Sequence, residues 1–136
     1  MSCSTANILG RKLVRQIVSL HVPLTDSTRN MIGADELSSM KSGAYLINVA
    51  RGNLVDEAAL TDALREQVIA GAATDVFAEE PPSAADPLLK AQEDNILFSA
   101  HMAGVSSESG RRFMMMSAEN IGRVLAGQYP LYVVNP

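Results

Sequence analysis

The chain has 136 residues, 47% hydrophobic and 19% charged, enough apolar material for one globular core and too much for a disordered tail. Its formal net charge of -4 at pH 7 offers no basic footprint, so neither nucleic acid nor an anionic membrane surface is expected as a partner. The single cysteine, Cys3, excludes an internal disulfide framework; with His21 and His101 it makes no zinc site at any usual spacing, and no metal is expected.

Residues 1–16 (MSCSTANILGRKLVRQ) hold only Gly10, show no strand pattern and lack the charged-then-apolar order of a signal peptide. They are set apart as an atypical N-terminal segment. No apolar run approaches the roughly 18 residues of a membrane span, so the expected location is the cytoplasm. From residue 17 to 136 short β-branched runs alternate with helical patterns.

The first run, 17–22 (IVSLHV), reads as a buried strand because it is mostly apolar without strict alternation. A short helix fits 34–41, stopped by Gly43. A second strand follows at 44–49 (AYLINV). A helix over 56–67 has Asp56 as its N-cap, Glu57 in its first turn and Leu60, Ala63 and Leu64 on one face. Strands at 71–77 (GAATDVF) and 95–100 (NILFSA) come next. A long helix from Ser106 to about Ala126 is capped by Ser106 or Ser107, carries Met114, Ala118, Ile121 and Leu125 on one face, and ends at Gly127. Phe113 to Met116, inside it, read as core filler.

Strands separated by helices imply right-handed crossovers and a parallel sheet covered on both faces. Ligands of such sheets bind beyond the carboxyl ends of the strands. The unusual residues gather there: His21-Val22-Pro23, then Asn48-Val49-Ala50-Arg51-Gly52, then Asp75 through Glu79-Glu80-Pro81, then His101-Met102-Ala103-Gly104. In this order and spacing the four segments resemble the D-isomer-specific 2-hydroxyacid dehydrogenases, most of all the phosphoglycerate dehydrogenase-like members. The likeness covers about residues 17–136, and four correlated segments are far more specific than one motif.

The resemblance implies a three-layer α/β/α Rossmann-like parallel sheet and reversible hydride transfer between NAD and the carbon bearing a hydroxyl or keto group beside a carboxylate. The expected partner is a small 2-hydroxy or 2-keto acid. His101 matches the family's acid-base histidine, a role suited to an imidazole near neutral pH. Glu80 matches the carboxylate that orients that ring, and Arg51 the arginine whose planar fork anchors the substrate carboxylate. Asp75 matches the residue beside the nicotinamide carboxamide. Val22, Val49, Ala50, Arg51, His101 and Gly104 fall on the cofactor lining.

Each position also has a plainer role. His101 alone would read as a satisfied polar residue after a strand, and Asp75 as a turn former. Glu80 would read as a solvated loop charge, with Glu79 beside it as a rival. Arg51 could cap the strand or pair with Asp56, although an arginine between a small residue and a glycine suits ligand approach. His21 divides evenly between the adenosine side and a hydrogen-bonded strand residue. Occurrence of Arg51, Glu80 and His101 together favours the functional alternative.

Three departures qualify the likeness. The first β-α-β half, with its G-x-G-x-x-G turn and ribose-binding acid, has no counterpart. No separate substrate domain is found, and Ala100 stands where the family has proline. Residues 17–136 therefore read as a partial, truncated NAD-binding domain with weak cofactor affinity and negligible turnover alone. NADP stays open beside NAD, since the discriminating residue belongs to the missing half. The rival expectation is a non-enzymatic module that forms a homo-oligomer or pairs with an intact homologue through an exposed sheet edge or the long helix.

Overall fold

Four short apolar runs pair into one parallel sheet in a computed structural model that describes residues 16–91 and 94–133. Residues 1–15 of the atypical N-terminal segment lie outside the described residues. The chain divides into two compact units, residues 1–103 and 104–136.

In the first unit β1 (Ile17–Leu20), β2 (Tyr45–Asn48), β3 (Gly71–Thr74) and β4 (Ile96–Phe98) stand in the order β1-β2-β3-β4. The register sets Ile17 beside Tyr45, Tyr45 beside Gly71, and Ala72 beside Ile96. All pairs are parallel, as the alternation of strand and helix predicts. Each strand stops one to three residues before its apolar run does. Val76 shows why: it is 1% exposed yet lies past the end of β3, so burial there belongs to a loop.

The crossovers hold α1 (Ala34–Ser39), α2 (Glu57–Arg65) and α3 (Pro87–Lys90). Asp56 caps α2, its carboxylate accepting from the Ala58 and Ala59 N–H groups, and Glu57 and Arg65 sit at the ends that suit the helix dipole. The third helix was not expected. At four residues it is too short for periodicity to reveal, although Asp86-Pro87 is a start signal: Asp86 accepts from Leu88 N–H at 2.9 Å and proline fills the first position.

Leu37, Leu60, Leu64 and Leu88 from these helices share one core with Leu20, Leu46, Ala72 and Ile96 from the strands. Alternate strand residues face the other way, and there Ile17, Tyr45 and Leu97 are 61%, 46% and 74% exposed. Within this unit the helices thus cover one sheet face. Crossovers of one hand between sequential neighbours return on the same side.

The second unit holds α4 (Ser107–Leu125). Its cap is Ser106, whose hydroxyl accepts from Ser109 N–H at 3.0 Å while the Ser109 hydroxyl accepts from Ser106 N–H at 2.9 Å. It ends as expected at Gly127, at φ 70°, with Gln128 N–H reaching the Arg123 carbonyl and Gly127 N–H the Val124 carbonyl. No α4 residue is buried; Phe113, Met114 and Met115 are exposed, so they do not fill a core as expected. Among the described residues no helix is long and apolar enough to cross a membrane.

One glycine joins two strand-end loops. A Cβ on Gly52 would lie 1.9 Å from the carbonyl carbon of Phe77, backbone that has no room to yield. Gly52→Ala is expected to cost about 3 kcal/mol, the upper end of overpacking penalties. Gly43→Ala, where a Cβ meets nothing within 4 Å, should stay within about 0.5 kcal/mol of wild type; urea denaturation of the two variants checks the contrast.

Candidate active site

Because all four strands are parallel, their carboxyl ends share one rim, where ligands of such sheets bind. Asp75, directly after β3, is the centre of this rim. It is 3% exposed, and three donors converge on its carboxylate: the Ser99 hydroxyl and Met102 N–H (2.8 Å) on Oδ1, and Ala103 N–H (2.7 Å) on Oδ2. Its carbonyl also accepts from His101 N–H at 2.8 Å. Burial alone would push this carboxyl up. The Ser99, Ala103 and Met102 donors and the charge of the His101 ring outweigh it and hold the group below the ordinary aspartate value.

Asp75 thereby shapes the loop that presents His101. That residue has φ 53°, a left-handed backbone that non-glycine residues adopt rarely, histidine more readily than most. Its Nδ1 lies 2.8 Å from Glu80 Oε2. Glu80 Oε1 accepts from Phe77 N–H at 3.1 Å, so both carboxylate oxygens are engaged. The two side chains remain 50% and 40% exposed, open to a ligand. Glu80 is held below the ordinary glutamate value, first by its hydrogen bond with His101, then by Phe77 N–H, with the charges of His101 and Arg51 adding.

Of the glutamate pair, Glu80 meets the histidine. Glu80–Pro81 is a cis peptide bond.

Arg51 stands three residues beyond β2 on a turn built by Asn48, which donates from Nδ2 to the Arg51 carbonyl at 2.9 Å and accepts from Ala50 N–H at 3.1 Å. The guanidinium is exposed and donates to the Ala50 carbonyl at 2.7 Å. It shares the rim with the pair, and among the described residues it makes no ion pair with Glu80; its charge is the smallest of the influences on that carboxyl. Asn48 and Ser99 were not foreseen. A polar Asn48, 4% exposed in an apolar strand, is the signal that could have found the first; Ser99 shows itself only through Asp75.

Gly52 was expected to leave space for a ligand beside Arg51, but the Phe77–Ala78 backbone occupies that space. Val49 and Ala50 follow β2 directly and are half-buried, and Val22 is exposed two residues beyond β1. His21 bonds to the Ser19 hydroxyl at 2.8 Å. Gly104 opens the second unit, its carbonyl accepting from the Ser109 hydroxyl at 2.7 Å.

A cavity of about 540 Å³ adjoins the pair, with Phe77, Pro81, Leu89 and Phe98 among its walls. The rings of Phe77 and Phe98 stack at 5.7 Å. Another, of about 510 Å³, opens among Ser42, Arg65, Gln67 and Asn95, at the amino ends of the strands where ligands of parallel sheets do not bind. No group of three His, Cys, Asp or Glu side chains that could hold a metal occurs among the described residues.

A family model described as "D-isomer specific 2-hydroxyacid dehydrogenase, NAD binding domain" matches residues 13–103, about two thirds of the chain. The chain therefore belongs to the D-isomer specific 2-hydroxyacid dehydrogenase family. It is 45% identical over 112 residues to a glycerate dehydrogenase of Methylorubrum extorquens, covering 82% of this chain and 36% of that one. It is 47% identical over 118 residues to a glyoxylate reductase of Korarchaeum cryptofilum, covering 87% and 35%. A D-3-phosphoglycerate dehydrogenase of Escherichia coli K12 is 45% identical over 121 residues, covering 88% and 28%. The chain thus spans about a third of the length of these relatives.

Among solved structures, a family member from Lactobacillus delbrueckii in its NAD-complexed form matches with a TM-score of 0.81 and 36% identity, over 91% of this chain and 41% of that one. One from Xanthobacter autotrophicus, in complex with NADPH and MES, matches with a TM-score of 0.80 and 40% identity, over 96% and 52%.

Replacing Asp75 by Asn puts a donor among three donors, and should destabilise the chain by about 1–3 kcal/mol. The carboxyl is held low in the folded state, so its stabilisation is complete above the unfolded aspartate value of about 3.9 and is lost as pH falls through the folded value. Urea midpoints measured through the acid range should fall in wild type and fall less in Asp75→Asn.

Proposed function

We propose that residues 17–136 form a partial NAD-binding domain of a cytoplasmic oxidoreductase acting on the CH–OH group of a small 2-hydroxyacid, phosphoglycerate dehydrogenase-like or hydroxypyruvate/glyoxylate reductase-like. The observation that carries this is the His101–Glu80 hydrogen bond at the carboxyl rim of the sheet, with Arg51 following β2 at the same rim.

Arg51 holds the substrate carboxylate through its planar fork. Glu80 occupies Nδ1 of His101 and fixes the ring, leaving Nε2 to give a proton to the keto oxygen on reduction or to take it from the hydroxyl on oxidation. When bound, the nicotinamide cofactor supplies or accepts the hydride. Val22, Val49, Ala50, Arg51, Asp75, His101 and Gly104 are the residues we assign to hold it. Asp75 serves that role from beneath the surface: 3% exposed, with three of about four carboxylate acceptor positions taken by Ser99, Met102 and Ala103, it places the main chain that lines the cofactor.

The cofactor is NAD, with NADP open, because no residue of the assigned set meets the adenosine ribose. No G-x-G-x-x-G pattern occurs in the 136 residues, so the pyrophosphate lacks its usual cradle and the chain alone binds weakly and turns over negligibly.

Adding NADH to the ¹⁵N-labelled chain is expected to shift the amides of Val49, Ala50, Met102 and Ala103, and glyoxylate to shift the Arg51 side-chain signals. Arg51→Ala should abolish the glyoxylate-induced shift of the His101 ring signals and weaken the NADH response without abolishing it. Shifts confined to other surfaces, or none at millimolar ligand, would discard the site assignment. Where hydroxypyruvate turnover is measurable, His101→Ala should lower kcat by about 10²–10⁴-fold.

A second reading, a non-enzymatic module pairing with itself or an intact homologue, is favoured by the exposed Phe113, Met114, Ile121 and Leu125 of α4 and by Ile17 and Leu97 on the sheet. It predicts a stable oligomer by sedimentation with no NADH-induced shifts; a monomer that responds to NADH excludes it.

A further inference from the structure

The loop that carries Glu80 is fastened at one residue, Ala78, to the turn that follows Arg51 and to the start of α2. Ala78 N–H donates to Glu57 Oε1 at 2.7 Å, and the Ala78 carbonyl accepts from Asn53 Nδ2 at 3.1 Å. Gly52, in the same turn, lies flush against the Phe77 carbonyl.

The gripping side is itself anchored. Asn30 N–H reaches the Asn53 carbonyl at 2.8 Å, Ile32 N–H the Leu54 carbonyl at 3.1 Å, and Asp56 N–H the Ile32 carbonyl at 2.9 Å. Leu54 and Val55 are buried in the core. Ala78 is therefore held by a rigid platform, two residues before Glu80, and the platform begins two residues after Arg51.

From this we propose that Asn53 and Glu57 are positioning residues, which clamp the main chain of Ala78 on both sides of its Cα and so set where Glu80 stands relative to His101 and Arg51. The assignment rests on the dehydrogenase reading of that pair. It names two side chains outside the acid-base and anchoring set, both acting through the backbone.

Glu57 carries the mark of such a task. Burial pushes its carboxyl up, as do the nearby Asp86 and Asp56 carboxylates, while the Ala78 N–H pulls the other way. A half-buried carboxylate among other carboxylates is an unfavourable choice for helix support alone, since the first turn of α2 already has Asp56 as its cap.

The test follows the pair without turnover, by ¹³C titration of the Glu80 carboxylate and ¹⁵N spectra of the His101 ring in the full chain. With the clamp released in Glu57→Ala, the Glu80 midpoint should move up toward the ordinary glutamate value and the His101 ring signals should shift. Glu57→Gln keeps an oxygen acceptor for Ala78 N–H and should restore both signals. Leu60→Ala, on the same helix and 3% exposed, should lower the melting temperature and leave both signals in place.

Should Glu57→Ala fail to fold, Asn53→Ala loses one hydrogen bond and is expected to move the midpoint the same way, by less. An unmoved midpoint in a folded Glu57→Ala or Asn53→Ala, or an equal movement in Leu60→Ala, overturns the assignment. Failure of the dehydrogenase reading would look different: a titration that still responds to Glu57, with no shifts on adding NADH or glyoxylate.

Discussion

A buried carboxylate ties the chemistry to the fold. Asp75 leaves the sheet at the end of β3, and its carboxylate and carbonyl together take four hydrogen bonds from Ser99, His101, Met102 and Ala103. An anion buried without these donors would be costly. With them it becomes the point around which the loop after β4 turns, and the strained backbone of His101 follows from that turn. Histidine orientation here is thus set by main-chain geometry first and by Glu80 second.

Three of the carboxylates near the rim differ in what governs their charge. Asp75 is inaccessible and ionised because donors surround it. Glu80 is accessible and ionised chiefly because of its histidine partner. Glu57 is pushed the other way by burial. Such divergence within one small region is how a site separates a fixed anion, a partner for an imidazole and a structural acceptor.

Much of this was legible from residues alone. Strand positions followed from apolar runs, the caps of α2 and α4 from Asp56 and Ser106, and the strand-end grouping of Arg51, Asp75, Glu80 and His101 from the parallel topology those runs imply. Strand lengths were overestimated because Val76 is as apolar and buried as any strand residue, and hydrophobicity reports burial without reporting pairing. Four-residue α3 lies below one period of useful signal. The links through Ser99, Asn53 and Ala78 were invisible because they join residues more than twenty positions apart, and one partner in each of the last two is a backbone group that every residue possesses. Gly52 does mark a close approach, but what approaches is the chain's own Phe77–Ala78 backbone.

The strand order has a kinetic consequence. Among the described residues every strand pairs with the next one in sequence, so each crossover closes a loop of about 25 residues at modest entropic cost, and none of these four strands waits for a distant partner to be inserted between neighbours. Pairing can therefore nucleate at any of the three crossovers and spread sideways, a low-contact-order route that favours rapid assembly for a parallel sheet. The rim would be completed last, since its bonds link loops from crossovers that must already have docked.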